Sequence, residues 1–388
     1  MKKISLDRIH HFVMKKQHLT PDSKINDIVQ IVKDMGGLHA TSATTPYLSL
    51  FARTEKFEKM DLSKELSHRK SLARVRYVRN TVHILPRDFI AQAFAATQRM
   101  TGMVSERHYR YFGFSPRDYD RISGKILDIL KGRGLTTKEI KEKLRTSRNI
   151  APFVNLMCDR GLLIRGFSKE GWKSNIHTYF RVLDYYPDLD LTEFDEEEAR
   201  ESVIQQYISS FGPVAEKDIV WWTGFPVKQV RNVLRKLERE ILTVEISGLD
   251  GRFFLLCSEW DLLRSSEPPR TRVVNLLPYL DPYLMGYKCR ERYLDSPYNE
   301  MILDRSGNAT ATILVDGQII GVWDFDEPWI KLCLFQEVKR KTLDLIYSEA
   351  AEIGAFIADR AVQIKRCDLM VPLPHRAAGA FMFPLRDC

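Results

Sequence analysis

GGLHATSATTPYLSLFAR, residues 36–53, lies between two helix-like segments, and the reading of this stretch decides the fold. Before it, Ile25, Ile28, Val29, Val32 and Met35 recur at the three-and-four spacing of one buried helix face. Asp22 or Ser23 suits the N-cap, and the Gly36-Gly37 pair suits the stop. Next come His39, Thr41, Ser42, Thr44 and Thr45, all able to hydrogen-bond and none of them acidic. Tyr47, Leu48, Leu50 and Phe51 then supply the apolar face of a second helix, with Arg53 on its polar face. A turn of small residues followed by a basic helix lets backbone come close to another molecule.

Outward from this turn, one order of elements recurs. Residues 5–17 and 24–35 read as helices, and ARVRYVRNTVHIL (73–85) has strand chemistry that Pro86 ends. The apolar positions change parity between Tyr77 and Val82, which predicts a bulge near Val78–Asn80. Residues 122–182 give a helix, a glycine turn at Gly132 and Gly134, a short helix capped by Thr136 or Thr137 with Glu139, a longer helix (149–159) and two strands. Residues 196–258 give the order again, ending in a hairpin with Asp250-Gly251 at its tip. Helix, turn, short helix, turn, long helix and hairpin is the order of a winged helix-turn-helix, seen clearly twice and more loosely at the front. The expected fold class is α+β: three tandem winged helix-turn-helix units followed by a β-rich C-terminal domain. The expected boundaries are 1–121 (with an N-terminal helix and connecting helices), 122–194, 195–265 and 266–388. Within the last part, Val315-Asp316-Gly317-Gln318 reads as a tight hairpin turn, 339–358 as a helix, and 362–366 or 368–371 as the final strand.

Charge is divided unevenly. Residues 1–184 hold 35 Lys+Arg against 18 Asp+Glu, net +17, whereas the rest hold 24 against 33, net −9. A basic front half joined to an acidic back half points to a polyanion held by the front. Arg53, Lys70, Arg74 and Arg76 form the expected phosphate track, with Arg79, Thr81 and His83 of RNTVH on the strand beside it. Arg165, Trp172 and Lys173 place an aromatic among cations in the second wing, suited to the minor groove or a displaced base. A tryptophan packed on its own hairpin is the alternative. Trp221 and Trp222 read as core. Asp281, Tyr283, Tyr287 and Arg290 follow a buried strand and are candidates to face a bound polyanion, although Asp281 better suits a cap before Pro282.

Other chemistries have no support. No stretch approaches the roughly 18–20 apolar residues of a membrane span, and the basic start lacks the apolar run of a signal peptide. The six scattered cysteines read as reduced, mostly buried thiols of a cytoplasmic protein, without metal-ligand spacing. No P-loop, dinucleotide fingerprint, H-E-x-x-H or G-x-S-x-G motif occurs.

GGLHAT (36–41), RNTVH (79–83), FGPVAEKDIVWWTG (211–224), LLPYLDPYLMGYKCR (276–290) and TILVDGQIIGVW (312–323) together resemble the winged-helix DNA glycosylases of the AlkZ and YcaQ type. The resemblance implies three tandem winged helices and a β domain lining one DNA channel. It also implies hydrolysis of the N-glycosidic bond of N-alkylated purines, cross-linked ones included, with no metal and no cofactor. The implied partner is damaged double-stranded DNA, met by a monomer in the cytoplasm at the nucleoid. The family's catalytic motif is Gln-x-Gln or Gln-x-Asp directly after the paired glycines and leucine. Here His39 and Thr41 stand at those two positions. An imidazole with an ordinary value near 6.5 can accept a proton from water at neutral pH, and a threonine hydroxyl can hold the same water. The alternatives are a DNA-contacting or turn-stabilising His39 in a non-catalytic winged-helix regulator, and an RNA-binding or complex-forming protein.

Overall fold

The computed structural model describes residues 2–367 and Pro372. It mixes helices with three sheets and divides into two compact units. One unit takes the residues up to Met35, Leu48–Phe57 and the chain from Tyr207; the other takes Gly36–Tyr47 and Glu58–Gln206.

In the first unit, strand β1 (Lys2–Ile4) leads into the helix Leu6–Lys16, and then comes the helix Ile28–Asp34. The N-cap of the latter is Asp27, later than expected, and its carboxylate accepts from the backbone N–H groups of Val29 and Gln30. The helix stops at Gly36 and Gly37, both at positive φ (66° and 106°), as their lack of a Cβ permits.

The second unit is built on one six-stranded sheet. Its strands are β2 (Leu38–His39), β3 (Leu72–Arg76), β4 (Val82–Pro86), β5 (Leu135–Thr136), β6 (Leu163–Ser168) and β7 (His177–Arg181). They lie in the order β2-β4-β3-β6-β7-β5. Residues 73–85 are therefore not one bulged strand but a hairpin. Val78–Asn80 turn back on themselves, with Arg79 and Asn80 in left-handed conformations (φ 53° and 58°). The helices Pro116–Ile129, Thr137–Lys143 and Ala151–Asp159 pack around Phe153, Ile126 and Met157, with the β6–β7 hairpin following. Thr136 and Glu139 close the expected capping box. Within this unit the helices Lys59–Ser67, Ile90–Tyr111 and Val182–Tyr185 escaped the sequence reading as individual elements.

The first unit resumes within the helix Glu196–Phe211, followed by the helices Glu216–Thr223 and Val227–Lys236. Strands β8 (Ile241–Ile246) and β9 (Phe253–Leu256) form the expected hairpin, and β1 adds to β8 in parallel. A five-stranded sheet comes next: β10 (Val274–Leu277), β11 (Thr312–Val315), β12 (Gln318–Asp326), β13 (Trp329–Leu334) and β14 (Gln363–Arg366), in that order. Asp316 and Gly317 turn β11 into β12 at φ 50° and 89°. The helix Arg340–Ala358 precedes β14; the alternative last strand, 368–371, lies outside the described residues. Cys158, Cys257, Cys289 and Cys333 are free thiols, but only Cys333 is buried and Cys257 is exposed. Cys367, expected to be reduced, is disulfide-bonded. No helix among the described residues is long and apolar enough to cross a membrane.

Candidate functional site

The glycine turn delivers His39 onto the edge strand β2, where it pairs directly with His83 of β4; Ala40 extends the ladder by donating to the Val82 carbonyl at 2.8 Å. A pair directly opposite in a ladder projects to one face, and the two imidazoles lie 5.0 Å apart between centroids. Tyr77 meets His83 edge-on at 5.6 Å. His39 is 7% exposed and His83 6%. Nδ1 of His83 donates to the Thr81 carbonyl at 3.2 Å, whereas Nδ1 of His39 is buried with no hydrogen-bond partner among the described residues. Burial, then His83 and Arg79, hold the His39 imidazole well below its usual value. Burial and Arg79 outweigh the Thr81 bond and push His83 down to about 4. Both rings are therefore neutral acceptors at pH 7. Thr41, two residues on, is exposed. Thr81 sits in the turn and donates its hydroxyl to the Val78 carbonyl.

The expected phosphate track is largely internal. Arg53 has no exposed surface: its guanidinium grips both Asp281 carboxylate oxygens at 2.9 and 2.7 Å, so it has none to offer a phosphate. Arg74 is 3% exposed and donates to the His177 ring. Arg76 is tied to Asp159 at 3.1 Å and to the Ser105 hydroxyl at 2.7 Å. Arg165 is 5% exposed and donates to the Asn155 amide oxygen. Lys70 lies over the Tyr185 ring and donates to the Tyr185 carbonyl. Trp172 is half-buried, 5.6 Å from the Tyr47 ring with the Lys59 ammonium over it, so it packs against residues outside its own hairpin; Lys173 is exposed. Side chains that read as surface charge are buried, and partners distant in sequence meet part of their hydrogen-bonding capacity.

The four residues expected to face a channel are internal too. Asp281 is fully buried, caps Pro282–Met285 through the Tyr283 N–H, and accepts from Arg53 and the Ser49 hydroxyl. Tyr283 donates to the Gly317 carbonyl and Tyr287 to that of Phe211. Arg290 is 6% exposed and donates to the carbonyls of Tyr287 and Gly307. Each of the four is spent on holding its own fold. Trp222 is in the core against Tyr207 and Phe211, as expected, whereas Trp221 is only half-buried.

Sequence reasoning missed Ser105, Asp159 and His177, which gather around the second unit's arginines. His177 opens a strand rich in aromatics, which was the one available signal. No cluster of three His, Cys, Asp or Glu side chains suited to a metal ion occurs among the described residues.

Comparison with known proteins bears on the fold and the family. The chain is 21% identical over 375 residues to the interstrand DNA cross-link repair glycosylase of Streptomyces sahachiroi, covering 91% of this chain and 96% of that protein. The solved structure of the Streptomyces sahachiroi DNA glycosylase AlkZ superposes with a TM-score of 0.78 at 19% identity, over 95% of this chain and all of that one, which shows a shared fold. Residues 32–356 match the family described as "DNA glycosylase AlkZ-like". The chain therefore belongs to the AlkZ-like DNA glycosylase family.

Proposed function

We propose that the protein is a monofunctional DNA glycosylase that hydrolyses the N-glycosidic bond of alkylated purines in duplex DNA, bulky and cross-linked adducts included. It acts as a monomer in the cytoplasm, at the nucleoid, without metal or cofactor. In this reading residues 1–121, 122–194 and 195–265 are three tandem winged helices and 266–388 is a β-rich C-terminal domain. The name of the Streptomyces relative, an interstrand DNA cross-link repair glycosylase, supports the cross-linked part of this substrate range.

One observation carries the reading: the buried, neutral His39 keeps Nδ1 without a partner among the described residues, directly after the paired glycines and beside exposed Thr41. Alkylation at N7 or N3 already makes the purine a good leaving group, because the base departs with its positive charge neutralised. The remaining work is to favour the oxocarbenium-like sugar and to direct one water at its anomeric carbon. A neutral imidazole can orient that water through a hydrogen bond, and the Thr41 hydroxyl can hold the same water. Arg79, near both histidines, is the residue of RNTVH that we assign to a phosphate.

The experiment is release of 7-methylguanine from methylated duplex DNA by the wild type and His39→Ala. Loss of release in the variant is the expected result. Equal rates remove His39 from the chemistry, and no release by either protein removes the proposed substrate.

A further inference from the structure

Three arginines of the second unit share one face of its sheet. Arg74 and Arg76 are two residues apart on β3, and Arg165 of β6 lies directly opposite Arg74. Like charges directly opposite on neighbouring strands repel, and a buried cation is costly unless a counter-charge meets it. Counter-charge is short here. The nearby carboxylate, Asp159, is engaged by Arg76 and by the Ser105 hydroxyl. Arg165 is met by neutral groups, the Asn155 amide and the Tyr179 hydroxyl. Arg74 is met by the His177 imidazole, and neither arginine makes an ion pair among the described residues. The Nε groups of Arg74 and Arg76 are buried without a hydrogen-bond partner among the described residues. The three side chains, with Asp159, Thr97 and Thr101, line one narrow pocket whose other walls are apolar, Phe94 and Leu163 among them.

We propose that this pocket is a phosphate site, in which a tetrahedral oxyanion completes the arginine cluster. Three guanidiniums against one carboxylate leave two positive charges over, which a phosphate dianion matches. The planar fork of arginine suits phosphate oxygens, and the unpartnered Nε donors are what such an anion would take up. The two sources of this chemistry are free inorganic phosphate and a terminal phosphate monoester of a DNA strand. The site is separate from His39 and does not depend on the reaction proposed above.

The test is thermal unfolding of the full chain at fixed pH and ionic strength, in chloride, in about 10 mM inorganic phosphate, and with short duplexes bearing or lacking 5′-phosphates. Ligand linkage should raise the wild-type midpoint in phosphate by about 2–8 °C, and not in Arg74→Gln or Arg165→Gln. In chloride, Arg74→Gln should unfold no earlier than the wild type, because it removes one of two facing cations. A shift with the 5′-phosphorylated duplex alone, lost in both variants, also upholds the site and assigns it to DNA ends. Should either variant fail to fold, calorimetric titration of the wild type with inorganic phosphate decides through the presence of a saturable site. The proposal is overturned if neither ligand moves or binds the wild type, or if the shift persists in the folded variants.

Discussion

His39 and His83 face each other across the β2–β4 ladder with their rings 5.0 Å apart, and Arg79 disfavours a proton on either. Desolvation is the larger cause, since a buried imidazolium gives up its water for little in return. The pair is thus a fixed neutral surface at physiological pH, not a titrating switch.

Base release should therefore run flat between about pH 6 and 8, with no step near the ordinary imidazole value of about 6.5. Single-turnover excision across that range checks it. A step near 6.5 that disappears in His39→Gln would show a ring that titrates freely.

Stability carries the opposite signature. Above about pH 6.5 the His83 ring is neutral both folded and unfolded, and contributes no pH dependence. Below that value the unfolded chain binds a proton that the folded chain refuses, so stability falls until the pH reaches the folded value of about 4. The loss from His83 alone is on the order of 3 kcal/mol. Urea unfolding at neutral and acid pH should show that slope, with a shallower one in His83→Gln.

Breaking the buried Arg53–Asp281 pair strands a charge. Arg53→Ala or Asp281→Ala is each expected to cost about 3–5 kcal/mol, and the double replacement less than their sum. Denaturant midpoints measure this. The salt slope of DNA binding falls by about 0.9 whenever one phosphate-binding cation is removed, and it should be unchanged in folded Arg53→Ala.

Gly37 stands at φ 106°, and a Cβ there would lie 2.5 Å from Leu85 Cδ2 and 3.3 Å from the Ile84 carbonyl oxygen. Gly37→Ala should therefore destabilise the second unit by about 1–3 kcal/mol. It should also slow excision by displacing the strand that carries His39. Thermal unfolding and base release, measured together, test both halves.

Trp172 and its neighbour Lys173 should separate cleanly. Trp172→Ala removes the ring that lies against Tyr47 and Lys59 and should cost about 1–2 kcal/mol. Exposed Lys173→Ala should stay within about 0.5 kcal/mol of the wild type. If Lys173 reaches a phosphate, its replacement lowers the salt slope instead, as fluorescence anisotropy on a labelled duplex would reveal.

Local patterns were legible wherever a special residue type marks them. The glycine pair, the Thr136–Glu139 box and the Asp316-Gly317 turn could all be placed from the chain alone. The β3–β4 hairpin was hidden because Arg79 and Asn80, ordinary residues, take the left-handed conformation that glycine usually signals. Arginine burial was hidden for a different reason. Charge is visible in a sequence, but the group that meets it is not: the carboxylate that pairs with Arg53, Asp281, is 228 positions away, and the neutral His177 ring that accepts from Arg74 is 103 away. The residues around His39 were legible only in part, since His83 was read as part of a strand face beside the phosphate track and not as the direct partner of His39.

The chain passes between the two units four times, after Met35, Tyr47, Phe57 and Gln206. No single proteolytic cut can release either one whole, and neither can be borrowed by a fusion as a continuous gene fragment. The ten residues Leu48–Phe57, with Arg53 among them, act as a thread stitching one body through the other's sequence. A recombination breakpoint within 36–57 would therefore divide both units at once.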